Sequence, residues 1–249
     1  MYAKKACGRL FLSMAETTTT AQSGAGIERL FGAGAHFAQV KSRRHPSMRS
    51  FVLGAKGGME IFDLQKTDDQ LAQAKTAIAA LARDGKTVLF VGGKREASDQ
   101  VREVAKRLAQ PYVAGRWLGG TISNFTEIKK RIDRLADLSA KRESGELGKI
   151  YTKLERIMID REIDRLEERL EGIRNLAKRP DALVIVDTKH EAHATKEARQ
   201  AGIPVIGIIS SDCDLKDSAY PIVTNDASRA AISLVLGELA QAFESGYKG

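Results

Sequence analysis

Short apolar runs alternate with amphipathic stretches along most of the chain from residue 57 onward. The runs that predict strands are residues 59–64, 87–93, 112–115, 180–187, 203–212 and 220–225. Between them, apolar residues recur at helical spacing, and Thr67 followed by Gln70 forms a capping-box pattern in front of the first predicted helix. The alternation is typical of an α/β protein, and it predicts a doubly wound, mostly parallel sheet of about five strands flanked by helices.

A different pattern occupies residues 125–178, between the third and fourth predicted strands. Two helix-like segments, residues 125–142 and 149–177, are separated by the sequence GELG. Their apolar residues lie three and four positions apart: Phe125, Ile128, Ile132, Leu135 and Leu138, then Ile159, Ile163, Leu166, Leu170 and Ile173. Two such stripes predict an inserted antiparallel coiled-coil helical hairpin with charged outward faces. We expect it to fold as an autonomous arm, so that the sheet survives its removal.

The chain is therefore predicted to have three parts. Residues 1–26 form a flexible N-terminal tail, because they offer too little apolar surface to order themselves, and Met14 is an alternative start. Residues 27–124 and 179–249 form the α/β domain, and residues 125–178 form the hairpin.

Charge is concentrated near the N-terminus. The 249 residues have a formal net charge of +8, and the first 60 carry nine lysines and arginines against three glutamates. Clustered cations of this kind favour a polyanionic partner such as a nucleic acid. The run KSRRHPSMRS, residues 41–50, concentrates four of these cations around Pro46, which predicts an extended loop suited to phosphate oxygens. A merely solvated loop is the alternative.

Composition also bears on location and chemistry. The two cysteines, Cys7 and Cys213, fit no disulfide framework or zinc spacing, so a reduced, cytoplasmic protein is expected. No apolar stretch has the length of a signal-peptide core or a membrane span, so we expect a soluble protein without a membrane partner.

The motifs expected of an enzyme are weak or missing. Residues 91–98 (VGGKREAS) have glycines and a lysine after a strand but lack the P-loop pattern, and residues 31–37 (FGAGAHF) lack the third glycine of a dinucleotide-binding loop. No nucleophile elbow occurs. Asp187 ends an apolar strand, which suits a functional carboxylate or a helix N-cap equally well. We therefore predict no enzymatic activity and no cofactor.

Two histidines are weak candidates for a metal site. His190 and His193 lie on one face of a predicted helix in the pattern HEAH. Zinc needs three or four ligands, and neither cysteine is near in sequence, so a solvated helix start is the more economical interpretation. No metal is expected.

Four separated motifs together carry a family resemblance: AGAHFAQ (33–39), LFVGGKREA (89–97), RWLGGTISN (116–124) and the long stretch PDALVIVDTKHEAHATKEARQAGIPVIGI (180–208). In order and spacing they resemble the bacterial form of the second protein of the small ribosomal subunit, from about residue 27 onward. The resemblance implies a structural RNA-binding protein of the cytoplasmic ribosome, with a parallel sheet and a protruding coiled-coil hairpin. Its implied partners are small-subunit ribosomal RNA and neighbouring ribosomal proteins, with the first protein of the small subunit as a further candidate. Ala38, where the family usually has glycine, and Thr195, where an aliphatic residue is customary, depart from the pattern.

The single tryptophan lies in the third of these motifs, where the hairpin leaves the sheet. We expect Trp117 to pack as a structural joint, with Gly119 and Gly120 allowing a sharp turn; a base-stacking platform is the alternative. Arg116 is available for a phosphate or a carboxylate. The full set of candidate RNA-binding residues is Lys41, Arg43, Arg44, Arg49, Lys94, Arg95, Arg116, Lys129, Lys130 and Arg131.

Two other functions compete with ribosomal RNA binding. One is a phosphate- or nucleotide-handling α/β enzyme whose loops follow no familiar motif. The other is a coiled-coil scaffold that binds only proteins, which would lack salt-sensitive RNA binding.

Overall fold

The computed structural model describes residues 25–247, with the side chains of Gly148 and Lys149 left out. The predicted tail therefore lies almost entirely outside the described residues. In chain order the elements are α1 (residues 25–32), β1 (Phe37–Val40), β2 (Val52–Lys56), β3 (Met59–Phe62), α2 (Leu64–Arg83), β4 (Val88–Val91), α3 (Arg95–Arg107), β5 (Tyr112–Val113), α4 (Phe125–Glu143), α5 (Leu147–Ile150), α6 (Lys153–Leu170), β6 (Ala182–Val186), α7 (Ala192–Gln200), β7 (Val205–Ile209), β8 (Tyr220–Val223) and α8 (Arg229–Tyr247). Short 3-10 turns span Lys41–Arg43, Pro46–Phe51, Glu171–Ile173 and Leu215–Asp217.

The predicted parallel sheet is confirmed, with five strands in the order β5-β4-β6-β7-β8. Every residue of β4, β6 and β7 is buried, which explains why these strands are uninterrupted apolar runs in the sequence. Helices α2, α3 and α8 cover one face, where Ile78, Val101 and Leu236 pack against the strands. Helices α4, α6 and α7 cover the other face. The fold is thus the predicted doubly wound α/β class.

A second, smaller sheet was not predicted. Strands β1, β3 and β2 form an antiparallel sheet in that order, so residues 59–62 do not belong to the parallel sheet as expected. β2 and β3 are joined through Gly57 and Gly58, both with positive φ, as a two-residue hairpin turn requires. The Gly-Gly pair was the available signal for this hairpin, whereas β2 has mostly exposed side chains and no clear alternation.

The predicted capping box at Thr67 and Gln70 is wrong. Helix α2 begins one turn earlier, at Leu64, and Asp63 caps it by accepting a hydrogen bond from the Gln65 N–H. The Thr67 hydroxyl instead donates to the Val223 carbonyl at 2.7 Å, and the Gln70 side chain accepts from the Val223 N–H at 2.9 Å. Both residues therefore satisfy the backbone of the edge strand β8, a long-range role that the local pattern concealed.

The two family departures are accommodated locally. Ala38 is buried in β1 and is not among the described residues with positive φ, so no glycine is required there. Thr195 is buried in α7, and its hydroxyl donates to the carbonyls of Glu191 and Thr188 within the same segment. The Thr195 hydroxyl therefore lies where the family has an aliphatic group, and it is buried with hydrogen-bond partners.

The predicted hairpin region contains the expected helices, but they share a core with the sheet. Ile128, Leu135 and Ile163 are buried in one cluster with Leu89 and Leu183 of the parallel strands. The segment also ends close against the sheet edge, since a Cβ at Gly172 would collide with the Tyr112 carbonyl. Ion pairs from Arg134 to Glu162 and from Arg142 to Glu167 join α4 to α6. A coiled-coil geometry for the two helices and their folding as an autonomous arm both stay predictions, and the shared core is a reason to expect that the helices and the sheet depend on each other.

Candidate nucleic-acid interface

The basic loop, residues 41–50, is not extended as predicted. It is built from the two 3-10 turns Lys41–Arg43 and Pro46–Phe51, with His45 preceding the second. Pro46 starts that turn, because a fixed φ and a missing N–H are harmless in a first helical turn. The His45 ring accepts a hydrogen bond from the Ser47 N–H. The prediction treated the proline only as a helix breaker.

The four cations of this loop have two different roles. Lys41, Arg43 and Arg49 are exposed and lie in no ion pair within the described residues. Arg44 instead donates to the Glu60 carboxylate at 2.7 Å, where the two side chains are 22% and 3% exposed. Arg44 therefore anchors the basic loop to β3 and is not free to bind a phosphate.

Arg44→Ala should lower the free energy of unfolding by about 1–3 kcal/mol, because Glu60 would remain buried without its partner. Arg43→Ala is the matched control, since it removes the same charge from an exposed position, and its effect should stay within about 0.5 kcal/mol. Denaturant unfolding of both variants measures the difference. Equal stabilities would show that Arg44 is ordinary surface charge.

Lys94, another candidate RNA-binding residue, lies in a buried ion-pair network. Its ammonium group is 2.7 Å from the carboxylates of both Asp187 and Asp226. Burial alone would lower the pKa of Lys94, but the two carboxylates outweigh it and raise that pKa above the ordinary value. Burial raises the pKa of Asp226 to about 6, against the opposing effect of Lys94. The neighbouring Arg95 is exposed and remains a candidate for RNA binding.

Asp187, which directly follows β6, has separate partners for its two carboxylate oxygens. It has a φ of +63°, and one of its oxygens accepts hydrogen bonds from the N–H groups of Lys189 and His190 at 3.0 Å. Its other oxygen holds Lys94. Cys213 lies beside it, and burial raises the pKa of that thiol to about 12, so the thiol is no nucleophile at neutral pH. These contacts lie at the carboxyl ends of the parallel strands.

The tryptophan motif packs where α4 leaves the sheet. Trp117 is buried with Ile122 and Ile128 against β4 and β5, and its indole N–H donates to Glu197 of α7 at 3.2 Å. Gly120 has a φ of +91°, which favours glycine, whereas Gly119 is not among the positive-φ residues. Burial leaves the indole no face for stacking on a base.

Glu197 organises this joint and was missed by sequence reasoning. Its carboxylate accepts hydrogen bonds from the N–H groups of Gly120, Ile122 and Ser123 at 2.8–3.1 Å, besides the Trp117 indole. Burial alone would raise the pKa of Glu197, but these donors outweigh it and hold the pKa below its ordinary value. Nothing in the local pattern distinguishes this glutamate from the exposed acids of other helices.

Five exposed arginines line two cavities that share Arg169, one of which lies against β5 at the edge of the parallel sheet. They are Arg102, Arg116, Arg131, Arg165 and Arg169, here called the edge arginine cluster. Arg102, Arg116 and Arg169 line a cavity of about 340 Å³, and Arg169 also lines a second cavity of about 160 Å³ with Arg131 and Arg165. None of the five is in an ion pair within the described residues. Of these five, only Arg116 and Arg131 are among the candidates predicted from the sequence.

The acids around this cluster are largely occupied elsewhere. Glu162 pairs with Arg134 at 2.7 Å, and Glu171 pairs with Lys106 at 3.3 Å. Glu168 is the remaining acid that lines the two cavities. The edge arginine cluster therefore keeps a net positive charge that can attract an anion.

Two further candidates, Lys129 and Lys130, are exposed on the first turns of α4. Lys130 pairs with Glu127 at 2.7 Å, whereas Lys129 is in no ion pair within residues 25–247. The contact of Lys130 is solvent-exposed and weak, so neither lysine is committed to the fold.

The two histidines proposed as weak metal candidates are both exposed. His190 contacts Glu191 at 2.9 Å, and His193 lies one turn further along. In the part of the chain that the structure describes, no three His, Cys, Asp or Glu side chains are grouped as a metal site requires. Likewise, none of the described helices is long and apolar enough to cross a membrane.

The fold and the surface of residues 25–247 define an α/β protein with clustered exposed cations and an ion-pair network at the carboxyl ends of its parallel strands. Comparison with known proteins identifies the family to which a protein of this class belongs. The family model of ribosomal protein S2 matches residues 30–246. The small ribosomal subunit protein uS2 of Coprothermobacter proteolyticus is 39% identical over 224 residues, covering 90% of this chain and 83% of that protein. The protein of the same name from Clavibacter michiganensis subsp. michiganensis is 40% identical over 220 residues, covering 88% and 70%.

This chain belongs to the ribosomal protein S2 family. It is a ribosomal protein and not an enzyme, which confirms both the family resemblance and the absence of a catalytic function.

Proposed function

We propose that the protein is a structural constituent of the small ribosomal subunit that binds ribosomal RNA through the edge arginine cluster and the basic loop. Its relatives are named as small-subunit proteins, which supports the assembly of this chain into that subunit. The convergence of five unpaired arginines from separate segments carries the RNA-binding part of the proposal.

The chemistry of the edge arginine cluster suits a phosphate backbone. Guanidinium groups bind phosphate through paired N–H donors, and several of them side by side can follow successive phosphates. The five arginines come from α3, the tryptophan motif, α4 and α6, so bound RNA would contact both the sheet and the inserted helices. Such contacts position a protein on RNA without reading its sequence.

The basic loop supplies a second surface for RNA phosphates. Lys41, Arg43 and Arg49 are exposed on two short turns that Arg44 and Glu60 hold against the small sheet. A cation held on an ordered turn loses less conformational entropy on binding than one on a mobile tail. These three residues, rather than all four, form the proposed contact.

Neighbouring ribosomal proteins are the other proposed partners. The small sheet and α1 expose the large apolar side chains of Phe31, Phe37, Val40, Leu53 and Met59. A group of exposed apolar residues is typical of a protein-binding surface. The first protein of the small subunit is one candidate for this surface, and the cytoplasmic ribosome is the expected location.

The enzymatic alternative has little support. Doubly wound sheets bind ligands at the carboxyl ends of their strands, and here Lys94, Asp187 and Asp226 fill that position with their own ion pairs. A nucleotide would have to displace a half-buried lysine from two buried carboxylates.

The test of RNA binding is the double variant Arg165→Ala, Arg169→Ala. Removing one phosphate contact should reduce the slope of log affinity against log salt by about 0.7–0.9, so the slope of the double variant should be smaller by roughly one to two units. Filter binding of the purified chain to small-subunit ribosomal RNA at several salt concentrations measures this slope. Arg83→Ala with Arg229→Ala is the matched control, since both are exposed, unpaired within the described residues and on other helices.

Three outcomes are informative. A reduced slope in the cluster variant alone supports the proposal. An unchanged slope would show that Arg165 and Arg169 do not contact RNA. Salt-insensitive wild-type binding to the subunit, without affinity for the RNA, would favour the scaffold that binds only proteins.

A further inference from the structure

The beginning of α6 and the residues before it expose an unusual set of large apolar side chains. Ile150, Tyr151, Leu154, Ile157 and Met158 are 62%, 39%, 69%, 42% and 62% exposed. We call these five residues the α6 apolar patch. A group of this kind within nine residues is costly to leave in water and typically marks an interaction site.

The packing of α6 within this chain does not use the α6 apolar patch. The helix buries Ile163 and Leu170 against α4 and the sheet, with Ile159 and Leu166 partly buried beside them. These four residues belong to the helical stripe predicted from the sequence. Within residues 25–247 the patch is therefore an apolar surface additional to the core.

The spacing of the patch suits a protein groove. Leu154, Ile157 and Met158 lie at positions i, i+3 and i+4, which places them on one face of a helix. Helices that bind in apolar grooves use anchors at this spacing. Aliphatic and thioether side chains offer RNA neither a hydrogen bond nor a flat ring for stacking, so RNA is a poor occupant.

Charges around the patch indicate the rim of that groove. Lys153, Arg156 and Arg161 are exposed and in no ion pair within the described residues. The Glu155 carboxylate accepts hydrogen bonds from the Thr152 N–H and hydroxyl at 2.9 Å, which hold it in place and leave its negative charge. Residues 153–161 therefore carry three cations against two carboxylates, Glu155 and Asp160, and keep a positive balance. The complement to this surface is an apolar groove bordered by carboxylates.

We propose that the α6 apolar patch binds an acid-rimmed apolar groove on a neighbouring protein of the small ribosomal subunit. The inference rests on the proposed function, since it requires assembly into that subunit. A second copy of this chain is a poorer occupant, because it would bring the same unpaired cations together.

Crosslinking within assembled subunits identifies the occupant. A photoreactive amino acid at Leu154 should crosslink to a protein of the small subunit. A zero-length carboxyl-to-amine reagent should join Lys153 to a carboxylate of that same protein. The same photoreactive residue at Glu103, an exposed position on α3, is the control and should not give this product. Crosslinks from Leu154 to RNA alone, to a second copy, or to nothing would overturn the proposal.

Substitution tests whether the contact matters for assembly. Leu154→Gln with Met158→Gln keeps good helix formers, and it should weaken incorporation into subunits depleted of this protein by about tenfold or more. Leu154→Met with Met158→Leu retains the apolar surface and should incorporate like the wild type. Normal incorporation of the glutamine variant would overturn the proposal, whereas failure of the wild type to incorporate would overturn the proposed function instead.

Discussion

Lys94→Met should lower the free energy of unfolding by about 3–5 kcal/mol at pH 8, because it leaves two buried carboxylates without their shared cation. Methionine matches the length of the lysine stem, so the decrease reports charge more than packing. Denaturant unfolding monitored by circular dichroism measures it. Wild-type stability at pH 8 would show that Asp187 and Asp226 do not depend on Lys94.

The pH dependence of this effect has a definite sign. Burial already raises the pKa of Asp226 above its ordinary value of 3.8, to about 6, with Lys94 present. A carboxyl whose pKa is raised in the folded state destabilises the fold when it is ionised. This destabilisation is complete above the raised pKa and decreases as the pH falls toward 3.8. Without Lys94, the pKa of Asp226 rises further, and the pKa of Asp187, which burial alone would raise but the hydrogen bonds from Lys94 and His190 hold below its ordinary value, rises as well. The difference in the free energy of unfolding between Lys94→Met and the wild type should therefore be smaller at pH 5 than at pH 8.

Lys86→Met provides the control for this experiment. Lys86 is an exposed lysine paired with Asp181 at 3.7 Å, so its removal should change the free energy of unfolding by less than about 1 kcal/mol at either pH. A comparable decrease in both variants would mean that removing any lysine lowers stability, independently of burial.

The parallel sheet could be predicted because its strands are buried on both faces. β4, β6 and β7 are continuous apolar runs, and no helical period competes with them. The small sheet could not be predicted in the same way, since β2 is mostly exposed and β3 resembles any other short apolar run. An apolar run predicts a strand but does not say which sheet it joins.

The candidate site was predictable only where charge is dense in sequence. The basic loop was recognised from four cations in nine residues, but the contact of Arg44 with Glu60 joins two elements and left no local signal. The edge arginine cluster contains residues spread from Arg102 to Arg169, which only the fold brings together. Lys94 was misjudged for the same reason, because its partners follow two other strands.

Removal of residues 125–178 should abolish cooperative unfolding of the remaining chain, even when a flexible linker joins the cut ends. The excised helices cover one face of the sheet together with α7, and their removal should leave five strand residues of the shared core more exposed: Leu89, Val91, Val113, Leu183 and Ile185. Exposing five such side chains costs on the order of 10 kcal/mol, which is comparable to the whole stability of a typical domain. This outcome is the opposite of what an autonomous arm would give.

A shorter excision separates the covering role of these helices from the effect of cutting the chain. Removing residues 140–158 retains Ile128 and Leu135 of α4 and Ile163 and Leu170 of α6, which pack against the sheet. This variant should keep a cooperative transition, because most of the residues it removes are exposed. Thermal and denaturant unfolding of both deletion variants shows which of them keeps a cooperative transition. A cooperative transition in the longer deletion would mean that the sheet folds without its cover and that residues 125–178 are an independent insertion.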